Sequence, residues 1–170
     1  MLEEPVLGHE FDAQLGEESA DPRVAECIQH LVEAEPFAVL CTQGGGQPYG
    51  SVVAFAFSQD LKTFVFATSV ATRKYRLLSG CDRVALVIDN RGRFPDDLMK
   101  VSAVTVTGRA RQLDPVPEHE QWSGLLTERH PYLQSFVDAA STALFRVDVV
   151  RFLHVTRFQE VRQWIPAIDG

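Results

Sequence analysis

The feature that most restricts the fold is a series of short β-type segments, each cut off by glycine, proline or small polar turn residues. GSVVAFAF (Gly50 to Phe57) and TFVFAT (Thr63 to Thr68) are short for helices and alternate bulky with small side chains at a period of two. On a strand, Val53, Phe55 and Phe57 share one face and Val52, Ala54 and Ala56 the other; Phe64, Phe66 and Thr68 likewise oppose Val65 and Ala67. The bulky face suits a barrel interior. For the small face two readings stay open: an outer surface covered by a helix or a second subunit, or a shallow slot in which a flat ring system lies against backbone groups.

The flanking sequence supplies further elements of the same kind. Phe37 to Thr42 is β-rich, and Gly44, Gly45 and Gly46 separate it from the strand Pro48 to Phe57. Those glycines lack the GK[ST] ending of a phosphate loop, so they read as a hairpin turn. Arg83 to Asp89 and Val101 to Leu113, the latter interrupted by Gly108, add two strands; Ala143 to Thr156 and a short Phe158 to Ile165 follow. Helices are expected from Pro22 to about Ala34, where Asp21 caps and Val24, Ile28, Leu31 and Val32 recur at helical spacing, and at Pro117 to Arg129 and Pro131 to Ala139. Six or seven strands joined mostly by short turns predict a mainly β fold, an antiparallel barrel with helices at a few corners, rather than a doubly wound sheet.

Charge divides the chain in two. Of 170 residues, 16 are Lys or Arg and 23 are Asp or Glu, a net charge of −7. Ten of the acids precede residue 36 with only Arg23 among them, so residues 36–170 carry a net +2. Residues 1–20 are expected to form an acidic arm and residues 21–170 one domain. The scattered bases do not make the stripe that nucleic acid requires. The longest apolar runs, Val52 to Phe57 and Val84 to Ile88, fall far short of the ~20 residues of a membrane span, and the start has no basic-then-apolar leader pattern. A cytoplasmic protein with neither membrane nor nucleic acid as partner is expected. Cys27, Cys41 and Cys81 lack CxxC spacing and read as buried apolar residues or free thiols, and the five histidines form neither His-x-His nor HExxH, so no metal site is expected.

One segment has the composition of an anion site. Thr68, Ser69, Thr72, Arg73 and Lys74 put three hydroxyls and two cations within seven residues, just where a helix carrying Tyr75, Leu77 and Leu78 begins. Unpaired helix N–H groups, an arginine fork and a lysine point charge together suit a terminal phosphate. The alternative is that Ser69 or Thr72 only caps the helix and the cations are solvated.

The run from Phe37 to Leu113, with GSVVAFAF, FVFATS (Phe64 to Ser69), TRKYRLL (Thr72 to Leu78), DRVALVID (Asp82 to Asp89) and VTVTGRARQL (Val104 to Leu113) in order, resembles the FMN-binding split-barrel family typified by pyridoxamine 5'-phosphate oxidase. RHPYLQSF (Arg129 to Phe136) and ALFRVDVVRFLHVTRFQEVRQW (Ala143 to Trp164) look most like its branch of HugZ-type haem-utilisation proteins, and the resemblance covers about 130 residues in all. It implies a homodimer of split β-barrels with FMN in the interface. Arg73 and Lys74 with Thr72 and Ser69 would hold the FMN phosphate, while Ser51, Val52, Ala67 and Thr68 would line the ribityl chain and ring. The implied activity is an FMN-dependent oxidoreductase on a small-molecule substrate, with a haem-binding module as the alternative and haem or a deazaflavin as alternative cofactors. The ending RQWIPAIDG lacks the basic and aromatic residues with which pyridoxamine phosphate oxidase grips its own substrate, so vitamin B6 oxidation is not expected. No general acid or base is assigned. Tyr49, Arg109 and Trp164 are within plausible reach of the ring, and each also reads as a structural residue.

Overall fold

The computed structural model describes residues 21–114, 117–158 and 160–167. The expected acidic arm therefore lies outside the described residues. Asp21 caps the first helix, α1 (Pro22–Ala34), by accepting a hydrogen bond from the Arg23 amide at 3.0 Å, and Val24, Ile28, Leu31 and Val32 form its buried face. The chain then runs through β1 (Phe37–Gly44), β2 (Gln47–Ala54), β3 (Ala56–Phe57), β4 (Thr63–Ser69), α2 (Arg73–Gly80), β5 (Arg83–Asp89) and β6 (Ala103–Gln112). Two more helices, α3 (Glu118–Arg129) and α4 (Gln134–Val137), precede β7 (Thr142–Thr156) and β8 (Glu160–Trp164).

All described strand pairs are antiparallel, in one sheet of order β2-β1-β5-β6-β7-β4-β3, with β8 paired to β7. Antiparallel strands curled into a half-barrel with four helices make this a split β-barrel. The sheet bends where β6 meets β7. Thr107 stands opposite Arg151 and Gly108 opposite Val149, so Val150 is an extra residue, a β-bulge that sharpens the local twist. A Cβ on Gly108 would stand 2.5 Å from the Asp148 carbonyl oxygen, which is why glycine occupies the bend.

Two apolar cores follow from the alternation. Val53, Phe55, Phe64 and Phe66 point into the barrel with Leu40, Leu86 and Phe152, and Phe66 stacks on Phe145 with ring centroids 5.6 Å apart. Val65, on the other face of β4, packs with Trp122, Leu126, Val137 and Leu144 beneath α3 and α4. The small face of β4 is thus covered by helices, whereas Val52 on β2 is 67% exposed.

Two expectations need correction. The strand expected from Pro48 to Phe57 is broken at Phe55, because β2 pairs with β1 and β3 with β4; the turn is fixed by His130, whose Nε2 donates to the Phe55 carbonyl at 2.9 Å. This raises the described strands to eight. The helix expected from Pro131 to Ala139 begins as a 3-10 turn, Pro131–Leu133, and is α-helical only over Gln134–Val137. Of the two readings of the cysteines, free thiols holds: all three are free, and Cys27 is exposed. Among the described residues no helix is long and apolar enough to cross a membrane.

Candidate functional site

The sheet does not close between β2 and β4. The direct passage from β2 through Phe55 into β3 brings these strands alongside each other without pairing them, and a cleft of about 280 Å3 lies between them. Val52, Val53 and Ala54 of β2 form one wall; Ala67, Thr68 and Ser69 of β4 form the other, with Thr72 and Lys74 at the start of α2. Of the eight residues singled out in the sequence, the structure gathers Val52, Ala67, Thr68, Ser69, Thr72 and Lys74 around this cleft.

Hydroxyls build the entry to α2. Thr72 Oγ1 donates to the Ser69 carbonyl at 2.8 Å and accepts from the Tyr75 amide at 3.2 Å, capping the helix. Because that proton is already given, the Thr68 hydroxyl is the donor across its 2.9 Å contact with Thr72 Oγ1. Ser69 Oγ accepts from the Ala71 amide at 3.3 Å. These groups fix the loop, and the unspent polarity belongs to the cations that follow.

Those cations differ from five arginines elsewhere in the chain. Arg91, Arg93, Arg109, Arg111 and Arg146 each sit beside a carboxylate, the last four at 2.6 to 2.9 Å. Among the described residues, Arg73, Lys74 and Arg76 of α2 have no carboxylate within salt-bridge distance, in a chain with 23 acids to offer. Burial pushes the half-buried Lys74 ammonium below the ordinary lysine range, with no neighbouring charge to offset it. Ser51, on the same strand face as Val53, has a buried hydroxyl oxygen without a hydrogen-bond partner. A desolvated lysine on the cleft lining is what a phosphate-bearing ligand would satisfy, and the orphaned Ser51 hydroxyl lies on the neighbouring strand position, off that lining.

Two singled-out residues lie off the cleft lining. Ser51 is beside it in sequence but does not line it, and Arg73 turns to the opposite side of α2, its guanidinium 5.7 Å from the Tyr49 ring centroid. Arg109 pairs with Asp82 at 2.7 Å and Trp164 packs on Phe152 with centroids 5.2 Å apart, so both have structural partners. Two histidines are similarly engaged: His154 Nε2 is 2.9 Å from Ser102 Oγ and His130 holds Phe55. Among the described residues no group of His, Cys, Asp or Glu could hold a metal ion.

Sequence reasoning missed Leu133 and Phe136, which complete the cleft wall from the helical segment before β7. Their helical spacing suggested a core face, and no local signal in the sequence separates Phe136 from its buried neighbour Val137. Val137 is 5% exposed and Phe136 38%.

The sequence pattern of the family described as pyridoxamine 5'-phosphate oxidase matches residues 24–156. No curated protein matches the chain. Solved structures share the fold at low identity. A heme binding protein from Mycobacterium smegmatis is 17% identical with a TM-score of 0.74 over 84% of this chain, which spans 57% of that protein. A Clostridium acetobutylicum protein related to general stress protein 26, of the pyridoxinephosphate oxidase family, is 15% identical with a TM-score of 0.68 over 85% of this chain and 96% of its own. A FAD-binding protein from Mesorhizobium loti is 18% identical with a TM-score of 0.62 over 76% of this chain and 91% of its own.

Proposed function

The chain belongs to the pyridoxamine 5'-phosphate oxidase family, and on that premise we propose that it is a flavin-binding oxidoreductase acting on a small molecule. The observation that carries this reading is the uncompensated, half-buried Lys74 at the start of α2, facing a cleft between small-residue strands. FMN carries a phosphate for one end of the cleft and a flat ring for the other. Lys74 and the α2 amides would hold its phosphate, with the Ser51 hydroxyl as a further partner. Val52, Ala54 and Ala67 leave room for a flat ring, and Leu133 and Phe136 would keep water from one side of it. When bound, the flavin supplies the electron chemistry, and the protein contributes its position and surroundings. No residue of the cleft is assigned a proton-transfer role.

A cleft of about 280 Å3 is at the lower limit of the ~300–1,000 Å3 usual for ligand pockets, so one protomer supplies part of the enclosure. The exposed Val52 and Phe136 at its rim fit burial by a second copy. The reading is therefore a homodimer with a flavin in each interface cleft, in the cytoplasm.

Haem binding is the competing reading, because a protein of the same fold carries that name. Haem iron takes a His, Cys, Met or Tyr as axial ligand, and none of these lines the cleft. The absorbance spectrum of the purified protein, repeated after FMN is added and excess removed by dialysis, separates the two. A retained yellow flavin spectrum is expected. A colourless protein that ignores FMN, or one with an intense Soret band, would overturn the flavin reading.

A further inference from the structure

Continued beyond Ala56, the β3–β4 ladder would pair β2 with β4 across the cleft. Ala56 stands opposite Val65 and Phe57 opposite Phe64, and the same register sets Ala54 opposite Ala67, Val53 opposite Thr68 and Val52 opposite Ser69. Those six residues are the two walls. The cleft is therefore an unzipped stretch of hairpin. The Ser58 amide donates to the Thr63 carbonyl at 2.9 Å, and alternation from that pair turns the backbone groups of Val52, Ala54, Ala67 and Ser69 toward the facing wall, where they have no ladder partner.

What keeps the stretch open lies on the far side of β2. The same alternation turns the Phe55 carbonyl away from β4, toward the place that the β1–β2 register would give to Pro36, and proline has no N–H to offer. His130, 3% exposed, fills that place: its Nε2 donates to the Phe55 carbonyl at 2.9 Å, and its ring stacks on Phe37. Arg129 beside it lays its guanidinium 5.1 Å from the Phe55 ring centroid and donates to the Val32 and Glu35 carbonyls at the end of α1. We propose that His130 is the positioning residue of the cleft: its hydrogen bond anchors Phe55 away from β4, so that β2 and β4 stay in register but unpaired and their facing amides remain open to a ligand. The identity of that ligand rests on the flavin reading above.

The test is amide hydrogen exchange of the apoprotein, read residue by residue by NMR, with an FMN titration alongside. The native chain is compared with His130→Phe and His130→Asn, which withdraw the donor, the first keeping a ring beside Phe37, and with His130→Gln, which keeps a donor. In the two variants without it, β2 is expected to close on β4, slowing exchange at Val52, Ala54, Ala67 and Ser69 about tenfold or more while the melting temperature falls. FMN must then reopen the ladder, and its affinity is expected to drop about tenfold. His130→Gln is expected to restore the native pattern of both. A histidine that only supports the fold would, when replaced, raise exchange throughout the chain. Faster or unaltered exchange at the four amides in both donor-free variants would therefore overturn the proposal. Slowed exchange there, in a protein that binds FMN in none of the four chains, would keep His130 in this role and overturn the flavin reading instead.

Discussion

Gly108 and Asp148 face each other across the bend of the sheet so closely that a side chain on the glycine would meet backbone, the Asp148 carbonyl, at 2.5 Å. Val147 Cγ1 would be 2.7 Å away on the same side. Neither can retreat cheaply, because β7 is held there by both β4 and β6. Gly108→Ala is expected to cost about 1–3 kcal/mol, the usual range for overpacking, and to lower the melting temperature by several degrees. Gly124→Ala in α3, where a Cβ meets nothing within 4 Å, is the control and is expected to be neutral or stabilising. Equal melting temperatures for the two variants would disprove the close-packing account.

Lys74→Ala is expected to weaken FMN binding at least tenfold, since it removes the cation that faces the cleft. Arg73→Ala should cost less, because its guanidinium lies on the Tyr49 side of the helix. The depressed lysine range adds a pH signature: affinity should begin to fall at a lower alkaline pH than an exposed lysine would give. Equilibrium titrations from neutral to alkaline pH read both effects, and unchanged affinity in the Lys74 variant would remove it from the phosphate site.

Ser51→Ala separates ligand binding from stability. The native hydroxyl is buried without a partner, so its removal should leave the apoprotein as stable as before or slightly more so. If the flavin supplies the missing partner, the same change should weaken its binding by about 0.5–1.5 kcal/mol, the net value of a neutral hydrogen bond. A denaturation curve and a flavin titration on one variant suffice. A clear loss of stability with unaltered binding would show that the hydroxyl serves the fold.

His154 is buried beside Ser102 and opposite Arg162 of β8, and burial first, then the Arg162 charge, lower its pKa below the ordinary histidine value of 6.5. In the range below 6.5 the unfolded chain takes up the proton more readily than the folded one. The associated stability is therefore present above that pH and lost as pH falls toward the depressed folded value. Urea midpoints at pH 7.5 and 5.5 should differ more for the native protein than for His154→Gln. An identical pH dependence would exclude His154 as the titrating group.

The barrel was legible because period-two alternation and turn residues act locally: Phe64 and Phe66 against Val65 declare the two faces of β4 before any contact is known. The break at Phe55 was not legible, since it depends on His130 arriving from beyond α3 to take the Phe55 carbonyl. The site shows the same division. The sequence groups two cations at the start of α2, but composition over seven residues hid the fact that neighbours on a helix point about 100° apart, which sends Arg73 and Lys74 to different clefts. Ser69 and Thr72 line the cleft, as their type suggested, and their hydroxyls also shape the α2 entry, the capping role that the sequence left open.

The length and position of β7 set an order of assembly. Apart from the two residues of β3, β4 finds its ladder partner in β7, which begins only at Thr142. On a ribosome adding ~5–20 residues per second, one wall of the β2–β4 cleft waits several seconds for the strand that holds it in place. Until then β4 exposes an apolar, unpaired edge, and a nascent chain stopped before Thr142 has no cleft to offer. On the flavin reading, capture of the ligand would mark a chain complete through β7, and without flavin that step would lack its ligand-driven stabilisation.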